Sequence, residues 1–302
     1  MRLTATGAIK VLKERRTYPL NQSPLYKLSN HKRLASLLKL ELSTLRRLAR
    51  SDGSAYRVWT EVNEKGKARL IENPYPRLKR AQARVAALLR LITPPDFLTC
   101  PVKGRSYVSN ARYHRGAREI VTLDVSAYFP STTWNRVFWF FNKQLLMSSD
   151  AAWTLASLAT LNGHLPTGSP LSPLLAYYAH QDMWLRIQML ARDAGCKLTV
   201  YMDDITVSGD VVPGALVWAI KQEVRRVGLK LSDHKERRFS GGVGVVTGVV
   251  VTDSGTRLTK GAHLKLKRLR EAIAAESDQA VRKQLERRRR GLEAQFRQVL
   301  RA

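Results

Sequence analysis

Cysteine is scarce in this sequence. Its 302 residues include only Cys100 and Cys196, which lie far apart in the chain. This spacing matches neither a zinc-ligand pattern nor a disulfide framework, and unpaired thiols are typical of a reducing cytoplasm. No apolar run approaches the roughly 18 residues of a membrane-spanning helix, and residues 1–26 lack the apolar segment of a signal peptide. These absences predict a cytoplasmic protein without disulfides and without a membrane partner.

Acidic residues are also few compared with basic ones. The chain has 24 Asp and Glu residues against 52 Lys and Arg residues, which gives a net charge of +28. A fold this basic repels itself unless a polyanion neutralises it, so nucleic acid is the expected partner. Hydrophobic residues make up 44% of the chain, enough for a large core in two or three subdomains. A basic scaffold of the ribosomal kind is the alternative at this point.

Two adjacent acids, Asp203 and Asp204, lie between segments in which apolar and polar residues alternate. The alternation over residues 198–202 and 205–208 is the period of a half-buried strand. Asp favours tight turns, so the pair predicts the centre of a β-hairpin and could serve the turn alone. Upstream, a strand predicted over residues 119–125 ends at Asp124. This order of elements could bring three carboxylates together at adjacent strand ends.

Three clustered carboxylates would need cations. Two charges about 4 Å apart repel by about 4 kcal/mol at an effective dielectric constant near 20. Mg²⁺ or Mn²⁺ would remove this penalty, and two such ions could promote phosphoryl transfer at Asp124, Asp203 and Asp204. Lys65 and Arg69 lie on or beside a predicted hairpin, where they could bind a triphosphate or form a solvated turn. The residues predict metal-dependent nucleotidyl transfer on nucleic acid.

The remaining segments predict a mixture of helices and strands. Apolar stripes and proline breaks indicate helices at about residues 77–92, 133–147, 151–161, 171–194 and 213–227, whereas 103–116 is predicted to be a loop or broken helix. Short β segments are predicted at residues 229–231 and 243–251. From Gly261 the chain is predicted to be helical, with 12 basic and 5 acidic residues. That charge could form a solvated face or line a nucleic-acid groove.

Four segments resemble the motifs of reverse transcriptases in order and spacing. Tyr201-Met202-Asp203-Asp204 resembles their Tyr-x-Asp-Asp box, and residues 123–130 resemble their first carboxylate motif. Residues 165–173 resemble their Leu-Pro-Gln-Gly-x-x-x-Ser-Pro motif, and residues 228–231 with Lys235 resemble the next one. The agreement extends over about residues 30 to 275.

Two further segments resemble elements of retron reverse transcriptases. Residues 110–114 resemble the Asn-Ala-x-x-His element of that family, and residues 246–248 resemble its Val-Thr-Gly element. The resemblance implies an α+β, right-hand polymerase fold whose antiparallel palm sheet carries the Tyr-Met-Asp-Asp hairpin. The implied division is a basic N-terminal extension (1–26), fingers (27–118), palm (119–240, with a helical fingers insertion at about 133–165) and a thumb of basic helices (241–302).

The resemblance also implies an activity and the residues that carry it. A retron polymerase would copy a partner non-coding RNA into multicopy single-stranded DNA from dNTPs, starting at a guanosine 2′-OH. It would work in the bacterial cytoplasm with a separate effector protein in anti-phage defence. The implied metal-binding and catalytic residues are Asp124, Asp203 and Asp204, with two Mg²⁺ or Mn²⁺ ions. The implied nucleotide contacts are Lys65, Arg69, Phe129, Thr167, Gly168 and Lys235, and the expected RNA contacts are Asn110, His114, Thr247, Gly248, Arg287, Arg288, Arg289 and Arg290.

The chain departs from the family pattern at two positions. Thr167 stands where the family usually has Gln, and Ala127 stands where many relatives carry a second acid. One alternative is another bacterial reverse transcriptase, of the diversity-generating or abortive-infection type, which should lack the elements at 110–114 and 246–248. The other is a non-catalytic RNA-binding scaffold derived from a polymerase. Three retained, mutually repelling carboxylates argue against it.

Overall fold

The computed structural model describes residues 17–51, 53–62, 66 and 68–300. Lys65 lies outside these residues. The helices are α1 (His31–Leu38), α2 (Leu42–Ala49), α3 (Pro76–Leu89), α4 (Tyr107–Tyr113), α5 (Tyr128–Ser131), α6 (Trp134–Trp139), α7 (Ser149–Ala159), α8 (Ser172–Ala179), α9 (Gln181–Asp193), α10 (Gly214–Arg226), α11 (Lys260–Ala275) and α12 (Gln279–Leu300). The strands are β1 (Tyr56–Val62), β2 (Ala68–Pro74), β3 (Leu98–Cys100), β4 (Glu119–Asp124), β5 (Lys197–Tyr201), β6 (Asp204–Gly209), β7 (Arg237–Phe239), β8 (Gly244–Val246), β9 (Val249–Thr252) and β10 (Gly255–Leu258). This composition confirms the α+β class.

A five-stranded sheet with the order β3-β5-β6-β4-β7 forms the centre of the fold. Strand β6 lies antiparallel between β5 and β4, whereas β3 runs parallel to β5. Because side chains alternate along a strand, Leu123, Val200 and Ile205 all point to one face. They join the main hydrophobic core there, together with Trp184 of α9. The main core thus packs against one face of the sheet, and polar side chains lie on the opposite face.

The polar face of the sheet is covered by α4 and by a small three-stranded sheet, β10-β9-β8. Val108 of α4, Ile120 of β4 and Val249 of β9 meet in a second, smaller core. Thr247 and Gly248 form the two-residue turn between β8 and β9, with φ angles of 45° and 80°. Two positive φ angles are typical of the tight hairpin turns that match strand twist. The β segment predicted over 243–251 is therefore a hairpin.

Two peripheral elements flank the central sheet. Strands β1 and β2 pair only with each other, in an antiparallel hairpin whose register places Glu61 opposite Arg69. At the C-terminal end, α11 and α12 follow β10, and the Thr256 hydroxyl donates to the carbonyl of Val299 at 2.7 Å. In the parts of the chain that the structure describes, no helix combines the length and apolar character that crossing a membrane requires.

Two local predictions were wrong, and the segment predicted to be a loop or broken helix over 103–116 contains a short helix. The helix predicted over 171–194 is interrupted at His180, whose φ and ψ angles of −119° and 22° are not helical, and the Ala179 carbonyl accepts a hydrogen bond from Arg136. The segment 103–116 contains α4, which a capping box at Ser106 stabilises. The strand predicted over 229–231 forms only an isolated bridge, between Leu231 and Val125, the residue that follows β4. The segment begins at the end of α10, where the Leu229 N–H donates to the Val224 carbonyl.

Candidate active site

Three aspartates meet where β4 ends and the β5–β6 hairpin turns. The strand register pairs Asp124 with Asp204 and Tyr201 with Asp204, so Met202 and Asp203 form the turn. The Met202 backbone has a φ angle of 61°, and the Asp203 carbonyl accepts a hydrogen bond of 2.9 Å from the Val125 N–H. That bond ties the turn to the residue after Asp124. The three sequence-predicted acids are therefore brought together.

Burial and mutual repulsion shift the ionisation of these acids. Desolvation is the largest cause of a raised pKa at Asp204, followed by the charges of Asp203 and Asp124, and together they bring this pKa to about 7. Burial also raises the pKa of Asp203, and the charge of Asp124 adds to the rise. The positive charges of Lys235 and Arg69 partly offset the rise at Asp203. The cluster thus favours additional positive charge.

Asp124 is the anchored member of the cluster. Both of its carboxylate oxygens lie 2.7 Å from Lys235 Nζ, and one of them accepts a hydrogen bond of 2.8 Å from the Ser232 hydroxyl. The Ser232 N–H also donates to the Asp124 carbonyl at 2.8 Å. Hydrogen bonding to Asp124 raises the pKa of Lys235. Lys235 is thus in direct contact with the acid cluster, and Ser232 is a site residue that the sequence motifs did not indicate.

The acid cluster suits a hard divalent cation in its chemistry, because Mg²⁺ and Mn²⁺ prefer carboxylate oxygens. Within residues 17–300, as far as they are described, no three acidic, His or Cys side chains stand as a ready-made metal site. The ammonium group of Lys235 covers both oxygens of Asp124. A metal ion bound by Asp124 would therefore compete with Lys235 for the carboxylate oxygens of Asp124.

Phe129 lies in α5, five residues after Asp124, and is half-buried. Its ring stacks on Tyr128 with centroids 6.2 Å apart. Tyr128 is buried, donates its hydroxyl proton to the Ala176 carbonyl at 2.8 Å and accepts a hydrogen bond from Trp184 Nε1 at 3.1 Å. The exposed part of Phe129 is thus supported from behind by a ring that is fixed in the core.

The predicted nucleotide contacts Arg69, Thr167 and Gly168 are connected through strand β2. Arg69 is part of β2, and its charge acts on the carboxylate of Asp203. Thr167 donates its hydroxyl proton to the Leu70 carbonyl at 2.5 Å, and the Gly168 N–H donates to the Glu72 carbonyl at 3.2 Å. Thr167 and Gly168 therefore contact the strand that carries Arg69.

Asn110, a predicted RNA contact, is completely buried. Its side chain accepts a hydrogen bond from the Thr99 hydroxyl at 3.1 Å and donates to Thr247 Oγ1 at 3.3 Å. Thr247 in turn donates to the Tyr107 carbonyl at 2.9 Å. Asn110 thus connects α4 to β3 and to the β8–β9 turn.

His114 is equally buried, and its two ring nitrogens lie 2.7 Å from the hydroxyl oxygens of Ser208 and Thr199. Burial lowers its pKa to about 3, and the charge of Lys197 adds to the effect. The prediction of direct RNA contact needs correction for Asn110 and His114. Because neither side chain is accessible, each can affect RNA binding only through the elements that it holds.

Thr247 and Gly248 line a cavity of about 410 Å³ beside the acid cluster. Asp204, Tyr107 and Thr206 contribute to the same cavity. Thr247 and Gly248 are RNA contacts that the sequence predicts, whereas no sequence motif indicates Tyr107 or Thr206. Strand alternation could have identified Thr206, because it lies two residues after Asp204 and so points to the same face of the sheet.

The four successive arginines of α12 differ in their surroundings. Arg289 lies 3.9 Å from Glu293, and Arg290 lies 3.5 Å from Glu286. Arg287 and Arg288 are exposed, and neither forms an ion pair with a residue that the structure describes. Of the four successive arginines, two therefore form ion pairs with described residues and two do not.

Comparison with known proteins finds several retron reverse transcriptases. Over 199 residues the chain is 32% identical to the retron Ec86 reverse transcriptase of Escherichia coli. This match covers 64% of this chain and 61% of the relative. The chain is 35% identical over 213 residues to the retron Mx65 reverse transcriptase of Myxococcus xanthus, a match that covers 62% of this chain and 48% of the relative. The chain is 28% identical over 183 residues to the retron Se72 reverse transcriptase of Salmonella heidelberg, a match that covers 59% of this chain and 47% of the relative.

These matches have clear bounds. No family model matches the chain. The chain spans about half the length of the curated relatives it matches. Over about three fifths of its own length, however, it is similar in sequence to retron reverse transcriptases, which confirms the resemblance that its motifs indicated.

Proposed function

We propose that the chain is a retron RNA-directed DNA polymerase. The observation that carries the proposal is the meeting of Asp124, Asp203 and Asp204 at paired strand ends, with the charges of Lys235 and Arg69 beside them. The substrate would be a partner non-coding RNA, copied from dNTPs into multicopy single-stranded DNA that starts at a guanosine 2′-OH. The retron relatives support this substrate by their names.

The proposal assigns the elements to the parts of a right-hand polymerase. The β1–β2 hairpin belongs to the fingers (27–118), and strands β4 to β7 of the five-stranded sheet belong to the palm (119–240, with a helical fingers insertion at about 133–165). Strand β3 of the same sheet precedes the palm segment. Helices α11 and α12 belong to the thumb (241–302), and residues 1–26 are a basic extension. The support is that β1 and β2, the sheet strands β4 to β7 and the helices α11 and α12 lie in the segments that the resemblance implies for these parts.

Each site residue has a role in this proposal. Asp124, Asp203 and Asp204 would hold two Mg²⁺ or Mn²⁺ ions, which stabilise charge on the attacking and leaving oxygens. Arg69, with Lys65, would bind the triphosphate, and Lys235, which contacts Asp124, would lie close to it. Phe129 would lie under the deoxyribose and exclude a ribonucleotide's 2′-OH. Thr247 and Gly248 would contact nucleic acid in the cavity beside Asp204.

Affinity for RNA would come from the basic surface. Arg287 and Arg288 are exposed cations of α12, and phosphate contacts of this kind position a nucleic acid without reading its bases. A cytoplasmic location, a separate effector protein and a role in anti-phage defence are part of the same proposal, by analogy with retrons.

The test of this function is Asp203→Asn combined with Asp204→Asn. The double variant should lose DNA synthesis on a primed RNA template, because it lacks two of the three metal-binding acids. RNA affinity should stay nearly unchanged, because it depends on the basic surface. Extension at a rate near that of the wild type would contradict the assignment of the hairpin.

The nucleic acid that copurifies with the protein separates the alternatives. A branched RNA-linked DNA is expected for a retron polymerase. DNA synthesis without such a product would favour a diversity-generating or abortive-infection enzyme. RNA binding by a wild-type protein without any DNA synthesis would favour the non-catalytic scaffold.

A further inference from the structure

Glu72 is an unusual residue in its hairpin. The β1 residues after Tyr56 are all exposed, and most of β2 is exposed or half-buried. Glu72 is only 3% exposed. A buried carboxylate is costly unless hydrogen bonds compensate it, so this acid must be held by nearby donors.

Residues 164–168 supply those donors. His164 Nε2 lies 3.1 Å and 3.2 Å from the two carboxylate oxygens of Glu72, and the Thr167 N–H donates to one of them at 3.3 Å. The two main chains are also joined directly, because the Gly168 N–H donates to the Glu72 carbonyl. In addition, the side-chain hydroxyl of Thr167 donates to the Leu70 carbonyl. We call these five residues, Leu70, Glu72, His164, Thr167 and Gly168, the Glu72 junction.

Gly168 permits the close approach of the two main chains in the Glu72 junction. A Cβ atom at this position would lie 2.6 Å from the Glu72 carbonyl oxygen and 2.7 Å from Asn73 Cα. Both are backbone atoms, so neither could move aside without shifting β2. The junction is therefore a direct backbone contact that the side chains of Glu72 and His164 reinforce.

The 164–168 side of the junction is fixed to the core. The buried Ser172 hydroxyl donates to the Pro166 carbonyl at 2.7 Å, and the buried Ser169 hydroxyl donates to Gln82 of α3 at 2.7 Å. His164 itself bridges to Leu161 and Thr133. A two-stranded hairpin is marginally stable alone, so β1 and β2 depend on such an anchor for a defined position.

Arg69 is the functional residue that this anchor serves. It lies three residues before Glu72 on β2, and its charge reaches Asp203 of the acid cluster. Between described residues, the side-chain hydrogen bonds from β2 to the rest of the chain are those of the Glu72 junction and the bond from Lys79 to Asn73. The junction thus provides most of the side-chain hydrogen bonds that tie the strand carrying Arg69 to the rest of the described chain.

We propose that Glu72 and His164 are positioning residues for nucleotide binding. They hold the β1–β2 hairpin in the place where Arg69 faces the incoming triphosphate, and they make no contact with the nucleotide themselves. The proposal rests on the proposed polymerase function and adds residues that no motif of the sequence indicates.

A double-mutant cycle tests this coupling on the full-length protein. The quantities to measure are kcat and the KM for dNTPs on a primed RNA template for the wild type, Glu72→Gln, Arg69→Ala and the double variant. Glu72→Gln should raise KM about tenfold, as expected for the loss of a hydrogen bond to a charged group, with kcat changed less than about twofold. With Ala at position 69, the same change should alter KM by less than about twofold, because the residue that it positions is gone.

His164 provides a second, partly exposed test site. His164→Gln retains a side-chain N–H donor for Glu72, whereas His164→Leu does not, so the Gln variant should have the KM closer to that of the wild type. Glu41→Gln is the matched control: Glu41 is exposed, forms no ion pair with a described residue and should leave KM unchanged. Thermal unfolding of each variant shows whether it folds. If Glu72→Gln does not fold, the comparison of His164→Gln with His164→Leu decides the test.

The outcomes separate this proposal from the proposed function. Additive effects of Glu72→Gln and Arg69→Ala on KM, or equal effects of the two His164 variants, would show that the junction only stabilises the fold and would overturn the proposal. A wild-type protein that binds RNA but makes no DNA would overturn the polymerase function itself. A tenfold effect that vanishes with Ala at position 69 would support both.

Discussion

Phe129 is the residue on which the choice of sugar should depend. Its ring is half-buried, stacked on a Tyr128 whose hydroxyl is bonded on both sides, so it cannot easily turn away from an added atom. An extra 2′-oxygen would overpack such a site, and overpacking typically costs about 1–3 kcal/mol.

Phe129→Ala should therefore reduce the discrimination between dGTP and GTP. The expected loss is about 5- to 150-fold in the ratio of their kcat/KM values, from the same energy range. The measurement is single-nucleotide incorporation on a primed RNA template. The same ratio in variant and wild type would place the sugar away from this ring.

His114 controls stability through its burial. In the folded protein burial lowers the pKa of His114 to about 3, whereas a histidine in an unfolded chain has its ordinary pKa of about 6.5. Between these values the unfolded state binds the extra proton, so the free energy of unfolding falls as the pH decreases from about 6.5 towards 3. His180, also buried with a pKa lowered to about 3, adds to the same slope.

Acid unfolding of the His114→Gln variant should take up about one proton fewer than that of the wild type, so its stability should depend less on pH. The free energy of unfolding of the wild type should depend on pH more steeply than that of the variant, by about 1.4 kcal/mol per pH unit between pH 6 and 5. Chemical denaturation at several pH values measures both slopes. Equal slopes would mean that His114 is protonated in the folded protein, contrary to its burial.

The main elements of the site follow from local sequence patterns. Strand alternation and the turn preference of Asp predicted the β5–β6 hairpin, and the end of an apolar strand predicted the place of Asp124. These features could be predicted because each depends on side chains within a few residues of one another. The β1 and β2 strands were predictable for the same reason.

The features that sequence analysis missed depend on partners distant in the chain. The break at His180 accompanies a hydrogen bond from Arg136, which lies in another helix. Glu72 and His164 are 92 positions apart, so neither residue alone indicates the junction. The burial of Asn110 follows from the packing of α4 under the β8–β9 turn, and a motif of polar residues does not reveal such packing.

At the scale of the whole molecule, the net charge of +28 is the dominant property. A charge of this size favours the binding of any polyanion, so for the proposed RNA partner the local question is which cations would make the contacts. Within α12 the structure separates Arg287 and Arg288, which have no acidic partner among the described residues, from Arg289 and Arg290, which are paired with Glu293 and Glu286. A cation that already has a partner gains less from a phosphate.

Two variants with the same change in net charge test this distinction. Arg287→Gln with Arg288→Gln should flatten the slope of log affinity against log salt by about 1.4–1.8, because each lost phosphate contact removes about 0.7–0.9. Arg289→Gln with Arg290→Gln should flatten it less, since those two side chains already form ion pairs. The measurement is RNA binding by each variant over a range of salt concentrations. Equal changes for the two pairs would show that α12 acts through its total charge, and unchanged slopes for both would show that the run is only a solvated face.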